Sequence, residues 1–200
     1  MTLIRGSSLS GTIATGDSSE ARICVSAYKV TSSNMGWGDF AAGNCFTAPG
    51  IWNLKGIANG SYRIRFDAQT GNLRSTFLGG TDYTEATLVT VNGSNVSNLA
   101  VTIPTGKSIT GRISDVTKNE WVSSACVNAF LVKDDNFGYG TYSGTSCTDT
   151  NGQFTIRGLA EGTYTLQLQP PGNSDLTPGW YEEFGNPVRQ NSSASRIVIN

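Results

Sequence analysis

The chain contains no histidine in 200 residues, and that absence removes a large part of enzyme chemistry. Ser-His-Asp and Cys-His relays need an imidazole to carry the proton. Histidine-ligated metal catalysis is excluded on the same ground. Charge is scarce as well: 14 Lys and Arg stand against 15 Asp and Glu, a formal net charge of −1. A nucleic-acid binder needs a basic face, and no such surplus exists here. No apolar run approaches the roughly 20 residues of a membrane-spanning helix, so no membrane insertion is expected. Met1 leads straight into a strand-like segment without a signal peptide, which reads as a piece excised from a longer protein. The only adjacent acidic pairs are Asp134-Asp135 and Glu182-Glu183. Neighbouring side chains on a strand point to opposite faces, so neither pair is a ready acid/base dyad. The expectation is a protein without catalytic residues or cofactors, not an enzyme.

What the chain does have is a duplication. Cys24 and Cys45 are 21 apart, and so are Cys126 and Cys147, at an offset of 102. At the same offset Asn34-Met35-Gly36-Trp37-Gly38-Asp39-Phe40 falls on Asn136-Phe137-Gly138-Tyr139-Gly140-Thr141-Tyr142. Gly56-Ile57-Ala58-Asn59-Gly60-Ser61-Tyr62 falls on Gly158-Leu159-Ala160-Glu161-Gly162-Thr163-Tyr164. At offset 100, Leu9-Ser10-Gly11-Thr12-Ile13 matches Ile109-Thr110-Gly111-Arg112-Ile113, which places a two-residue insertion after the first strand of copy two. The chain therefore reads as one domain written twice, at residues 1–104 and 105–200. Four cysteines in two equal loops read as disulfides Cys24–Cys45 and Cys126–Cys147, and as an oxidising compartment, secreted or at the cell surface. Zinc is the competing reading, served badly by a chain with neither a CxxC pair nor histidine.

Both copies carry strand periodicity. Tyr62, Ile64 and Phe66 alternate with Arg63 and Arg65, as Tyr164, Leu166 and Leu168 alternate with Thr165 and Gln167. Strands are expected near 8–14, 21–30, 44–48, 51–57, 60–67, 85–91 and 97–103. In copy two they are expected near 108–114, 122–132, 145–149, 153–159, 162–169, 187–190 and 194–199. Seven short strands per copy predict two packed sheets. Asn151-Gly152 is a tight-turn signal, since both residue types tolerate positive φ.

The run Thr148-Asp149-Thr150-Asn151-Gly152-Gln153-Phe154, followed by Gly158-Leu159-Ala160-Glu161-Gly162-Thr163-Tyr164, resembles carboxypeptidase-regulatory-like domains. These group with collagen-adhesin B-type domains in a transthyretin-like, carbohydrate-binding-like fold. Copy one carries a worn version from Thr47 to Trp52 and Gly56 to Tyr62. The resemblance implies an all-β chain of two tandem seven-stranded transthyretin-like (prealbumin-like) β-sandwiches, each with one intradomain disulfide. It implies a non-catalytic spacer or adhesive module of a secreted or surface-attached bacterial multidomain protein, monomeric, partnered by neighbouring domains. The alternative it implies is a carbohydrate-binding accessory module of a polysaccharide-degrading enzyme such as an amylase. Adhesin B-type domains often crosslink a first-strand lysine to a last-strand asparagine; only Lys107 lies near such a position here.

Sugar rings present apolar C–H faces that aromatic rings can stack upon. Trp37, Phe40, Tyr139 and Tyr142, on or beside the Gly-rich disulfide-enclosed loops, are the candidate glycan-binding residues, and low charge suits a neutral polysaccharide or cell-surface glycan. The competing expectation is that these rings fold back over the disulfide or cap the sandwich. Trp52 is expected in the core, and Trp121 and Trp180 in core or inter-sheet packing. Asp149 and Asp134 mark weak calcium candidates, but a calcium ion needs six to eight oxygens and the full loop pattern is absent; no metal ligand is assigned. The Gly and Tyr positions from Gly56 to Tyr62 and from Gly158 to Tyr164 are expected to serve the fold.

Overall fold

The computed structural model describes residues 5–31, 36, 38–132, 140–183 and 187–200. The chain divides into two compact units, Met1–Thr105 and Gly106–Asn200.

Unit 1 contains β1 (Ser7–Thr15), β2 (Ala21–Val30), β3 (Asp39–Ala48), β4 (Gly50–Ile57), β5 (Gly60–Ala68), β6 (Thr76–Phe77), β7 (Val89–Val91) and β8 (Val101–Ile103). One sheet runs β4-β1-β8; the other runs β3-β2-β5-β6, with β7 also paired to β5. Alternation drives both. On β5, Tyr62, Ile64 and Phe66 are buried while Arg63 and Arg65 stay on the outer face. The inward residues of β1, β4 and β8 meet those of β2, β5 and β7 in one core, with Trp52, Tyr62 and Phe66 as its largest members. Trp52 stands edge-on to Phe66 at 5.6 Å and donates its indole N–H to the Leu99 carbonyl at 3.2 Å. That bond removes the penalty of burying a free indole donor.

Unit 2 contains β9 (Lys107–Arg112), β10 (Ser114–Asp115), β11 (Glu120–Trp121), β12 (Cys126–Leu131), β13 (Thr141–Cys147), β14 (Gln153–Leu159), β15 (Gly162–Gln169), β16 (Gly179–Trp180) and β17 (Ile197–Ile199). A β13-β12-β15-β16 sheet, with β17 on β15, faces a β14-β9 pair. Val127, Ala129, Ile156, Leu159, Tyr164 and Leu166 form its core. A short β10–β11 hairpin occupies the place of the insertion after the first strand.

In each unit the tyrosine hydroxyl closes the turn before its own strand. Tyr62 donates to the Ala58 carbonyl at 2.8 Å, and Tyr164 to that of Ala160 at 2.9 Å. Cys24–Cys45 and Cys126–Cys147 are disulfides, each joining directly opposed residues of neighbouring strands.

Several strand expectations are corrected. Among the described residues unit 1 has eight strands and unit 2 nine, rather than seven each. The expected strand at 85–91 is real only over Val89–Val91, and that at 97–103 only over Val101–Ile103. The strand at 187–190 reduces to one bridge between Val188 and Trp180. Conversely, β3 begins at Asp39 and β13 at Thr141, several residues earlier than their apolar patterns suggest. Both lie at a sheet edge, where small and polar residues serve the ladder without needing a buried face. The turn at Asn151-Gly152 has positive φ at Gly152 (70°) alone. Asp149 supplies the rest: its Oδ1 accepts from the amides of Asn151 and Gln153 at 2.8 and 2.9 Å. Lys107 makes an exposed contact, with Nζ 2.9 Å from the main-chain oxygen of Asn200 and 3.6 Å from Glu161 Oε1.

Candidate functional site

The outer face of each five-stranded sheet brings the disulfide and two aromatic rings onto one surface. Its construction depends on a β-bulge. From the disulfide pair Cys24↔Cys45, strict alternation would place Ser26↔Gly43 outward and Ala27↔Ala42 inward. The register then slips, so that Tyr28 opposes Phe40 and Ala41 is the extra residue. The bulge turns Phe40 from the core side to the outer face. Unit 2 repeats this: Ala129 opposes Gly144, Phe130 opposes Tyr142, and Ser143 is the extra residue.

The resulting ring pairs have the same geometry. Tyr28 and Phe40 meet edge-on at 6.0 Å and 73°; Phe130 and Tyr142 meet at 5.9 Å and 73°. The outer members are exposed, Phe40 to 65% and Tyr142 to 56%. Phe40 lies over Gly43, where a Cβ would come within 3.1 Å of its ring. The two candidate stacking residues Phe40 and Tyr142 therefore neither cap the sandwich nor occupy a loop. Trp37 and Tyr139 lie outside the described residues, as does Asp134.

Beyond the ring pair the two faces differ. In unit 1, Arg63 stands opposite Tyr28 and Arg65 opposite Ser26. The Arg63 guanidinium lies 5.7 Å from the Tyr83 ring centre and donates to the Gly36 carbonyl at 2.9 Å. Arg65 pairs with Asp67 at 2.7 Å and lies 5.9 Å from the Phe77 ring centre. Unit 2 replaces these arginines with Thr165 and Gln167, and Trp180 packs 5.4 Å from Phe130. Sequence reasoning missed Tyr28 as the neighbour of Phe40, and Arg63 opposite Tyr28 with Tyr83 beside it. The signal present was the offset of 102, which places Tyr28 on Phe130.

Trp52 and Trp180 are buried as expected. Trp121 is not: it is 53% exposed, with the Arg112 guanidinium 4.9 Å from its ring centre. It sits on the short hairpin rather than in a two-faced strand, so the ring keeps more than half of its surface in solvent beside Arg112. Asp149 spends Oδ1 on the turn amides. Among the described residues no group of three or more His, Cys, Asp or Glu could hold a metal. Two titratable groups are displaced by local structure. Hydrogen bonds from the Ser19 hydroxyl and amide hold the Asp17 carboxyl below its ordinary range. Burial pushes the Tyr62 phenol up. Asp17 lies in a surface turn and Tyr62 in the core, so neither forms an acid/base pair with the aromatic face.

No protein-family model matches the sequence, and no curated protein matches it. Solved structures with similar chain traces include a Streptococcal ancillary pilin at 16% identity, covering 94% of this chain and 61% of that one, TM-score 0.38. The shaft pilin spaA from Lactobacillus rhamnosus GG is 11% identical, covering 88% of this chain and 93% of that one, TM-score 0.33. The tip fimbrial protein Mfa3 from Porphyromonas gingivalis, with a C-terminal truncation, is 12% identical, covering 92% and 85%, TM-score 0.36. The chain spans less than two thirds of the ancillary pilin's length.

Proposed function

We propose that the chain is a non-catalytic structural module, a disulfide-stapled spacer or adhesive segment of a secreted or surface-attached multidomain protein. The observation that carries this reading is what the duplication preserves. The disulfide, the bulge and the tyrosine-closed turn recur in both units at equivalent positions. The outer ring pair recurs as well, but the charged side chains beside it do not: Thr165 and Gln167 stand where Arg63 and Arg65 stand. Retained features that serve the fold, beside varied outer surfaces, suit a repeated load-bearing unit. In finer terms we read residues 1–104 and 105–200 as two folding units, each a transthyretin-like sandwich of collagen-adhesin B type.

Extension of single molecules tests this. The oxidised chain should give two force peaks. Reduction should add about 7 nm of contour length per unit, at roughly 3.5 Å for each residue of the 21-residue separation. A chain that extends without resolved peaks would count against a mechanical role.

A second reading is favoured by the exposure of Phe40 and Tyr142: the aromatic faces stack against a neutral glycan. Retention of the chain by immobilised polysaccharide, lost in Phe40→Ala and Tyr142→Ala, would support it. No retention on any neutral polysaccharide leaves the spacer reading alone.

A further inference from the structure

Unit 1 carries a second surface feature, distant in character from the aromatic face. A groove of about 1030 Å³ opens beside the start of β1 and the end of β4. That volume is close to the upper end of the ~300–1,000 Å³ range of small-ligand clefts. Arg5 and Lys55 line it, and no acidic residue does. Among the described residues neither cation has an ion pair or a side-chain hydrogen bond. Two cations with no acidic residue in the lining give the groove a positive potential that favours an anion.

The remaining lining is polar and held in place. Asn59 Oδ1 accepts from the Gly93 amide at 2.7 Å, and Asn95 Oδ1 accepts from the Ser8 amide at 2.9 Å. These two bonds tie the loop after β7 to β1 and to the turn after β4. Each uses only the acceptor end of its asparagine, so both NH₂ groups remain as donors. The hydroxyls of Ser7 and Ser8 and the amide of Asn53 complete the set. The apolar lining is Ala58 and Ile57, and Ile57 is buried in the core. The groove therefore offers hydrogen bonds and positive charge, without aromatic stacking or side-chain pockets.

Unit 2 shows what becomes of the same region when it is closed internally. Lys107 stands where Ser7 stands, and Glu161 where Asn59 stands. There the lysine meets Glu161 Oε1 at 3.6 Å and the Asn200 main-chain oxygen at 2.9 Å. Lys107 thus has its acidic partner in Glu161, whereas among the described residues no acid stands beside Arg5 and Lys55, and no ion pair is formed by Arg157 at the place of Lys55 either.

We propose that the unit 1 groove binds an acidic, carboxylate-bearing oligosaccharide. The cations take the carboxylates, and the serine and asparagine groups take the ring hydroxyls. An acidic peptide would share the charge but would find no pockets for its side chains.

The test is titration of the full chain, followed by calorimetry, with trigalacturonate, its neutral methyl ester and hexaglutamate at low ionic strength. Trigalacturonate should bind saturably and the methyl ester should not. Arg5→Ala and Lys55→Ala should each weaken binding about tenfold, the scale of a lost charge-assisted hydrogen bond. Lys55→Arg should retain binding, and Arg157→Ala in unit 2 should leave it unchanged. Asn59→Glu, which introduces the residue of the other copy, should suppress it, with the melting temperature recorded to separate binding from folding. The proposal is overturned if trigalacturonate fails to bind, if the methyl ester binds equally, or if the Arg5 and Lys55 variants are silent. Hexaglutamate binding as tightly as trigalacturonate would reassign the groove to acidic peptides.

Discussion

A Cβ added to Gly6 would sit 2.5 Å from the carbonyl carbon of Gly56, because the two backbones cross with no room for a side chain. Gly106 meets Gly158 in the same way, with its would-be Cβ 2.5 Å from the Gly158 Cα. Gly56 and Gly158 themselves have φ of 76° and 71°, a left-handed conformation that other residues adopt at a penalty. Gly6→Ala and Gly106→Ala should each destabilise their own unit by about 1–3 kcal/mol, as overpacking does. Two resolved denaturation transitions, each shifted by its own variant, would be the expected pattern.

The disulfides should contribute separately. Each closes a separation of 21 residues within one unit. Replacing Cys24 and Cys45 together by alanine should cost unit 1 about 2–4 kcal/mol and leave unit 2 unchanged. Chemical denaturation followed by amide hydrogen exchange on β5 of unit 1 and on β15 of unit 2 reads the two halves independently.

Aromatic substitutions should divide by exposure. Trp52→Ala should cost about 3–5 kcal/mol, because it empties a fully buried site. Phe40→Ala and Tyr142→Ala should cost only about 0.5–1.5 kcal/mol, the value of an edge-on aromatic pair. Equal losses at both kinds of position would mean that the bulge does not turn Phe40 and Tyr142 outward.

Alkaline pH should weaken unit 1. Burial raises the Tyr62 pKa above its ordinary 10.0, so folding favours the protonated phenol. The stabilisation this gives is complete below the unfolded value and is lost as pH rises through the folded one. The urea midpoint of unit 1 should fall as pH rises above about 10. Tyr62→Phe should flatten that dependence while removing the 2.8 Å bond to Ala58, at about 0.5–1.5 kcal/mol.

Asp149 should behave as a turn residue. Asp149→Ala removes the acceptor for two amides and should destabilise unit 2 by about 1–3 kcal/mol. Calcium should leave the melting temperature of the parent chain unchanged; a rise with calcium would reinstate a metal site.

Much of this molecule was legible in the residue pattern. The equal separation of 21 in both cysteine pairs pointed to Cys24–Cys45 and Cys126–Cys147, because equivalent residues of two similar units stand at one constant offset. Alternation at Tyr62, Ile64 and Phe66 identified the buried face of β5, because side-chain direction has a period of two. The Gly and Tyr positions from Gly56 to Tyr62 were expected to serve the fold, and the Tyr62 hydroxyl does so by closing the turn onto the Ala58 carbonyl. Three features depended on tertiary structure. Parity counted from Cys45 puts Phe40 inside, and only the extra residue Ala41 in the ladder puts it outside. Trp121 looks like core by its size, yet it lies on a hairpin too short to carry a second layer. The groove joins Arg5, Lys55 and Asn95 from three separate stretches, and the charge balance of the chain says nothing of where unpaired cations gather. Local rules determine which residues face together along one strand; only the packed sheets decide which strands share a surface, and which charges there are left without an answer.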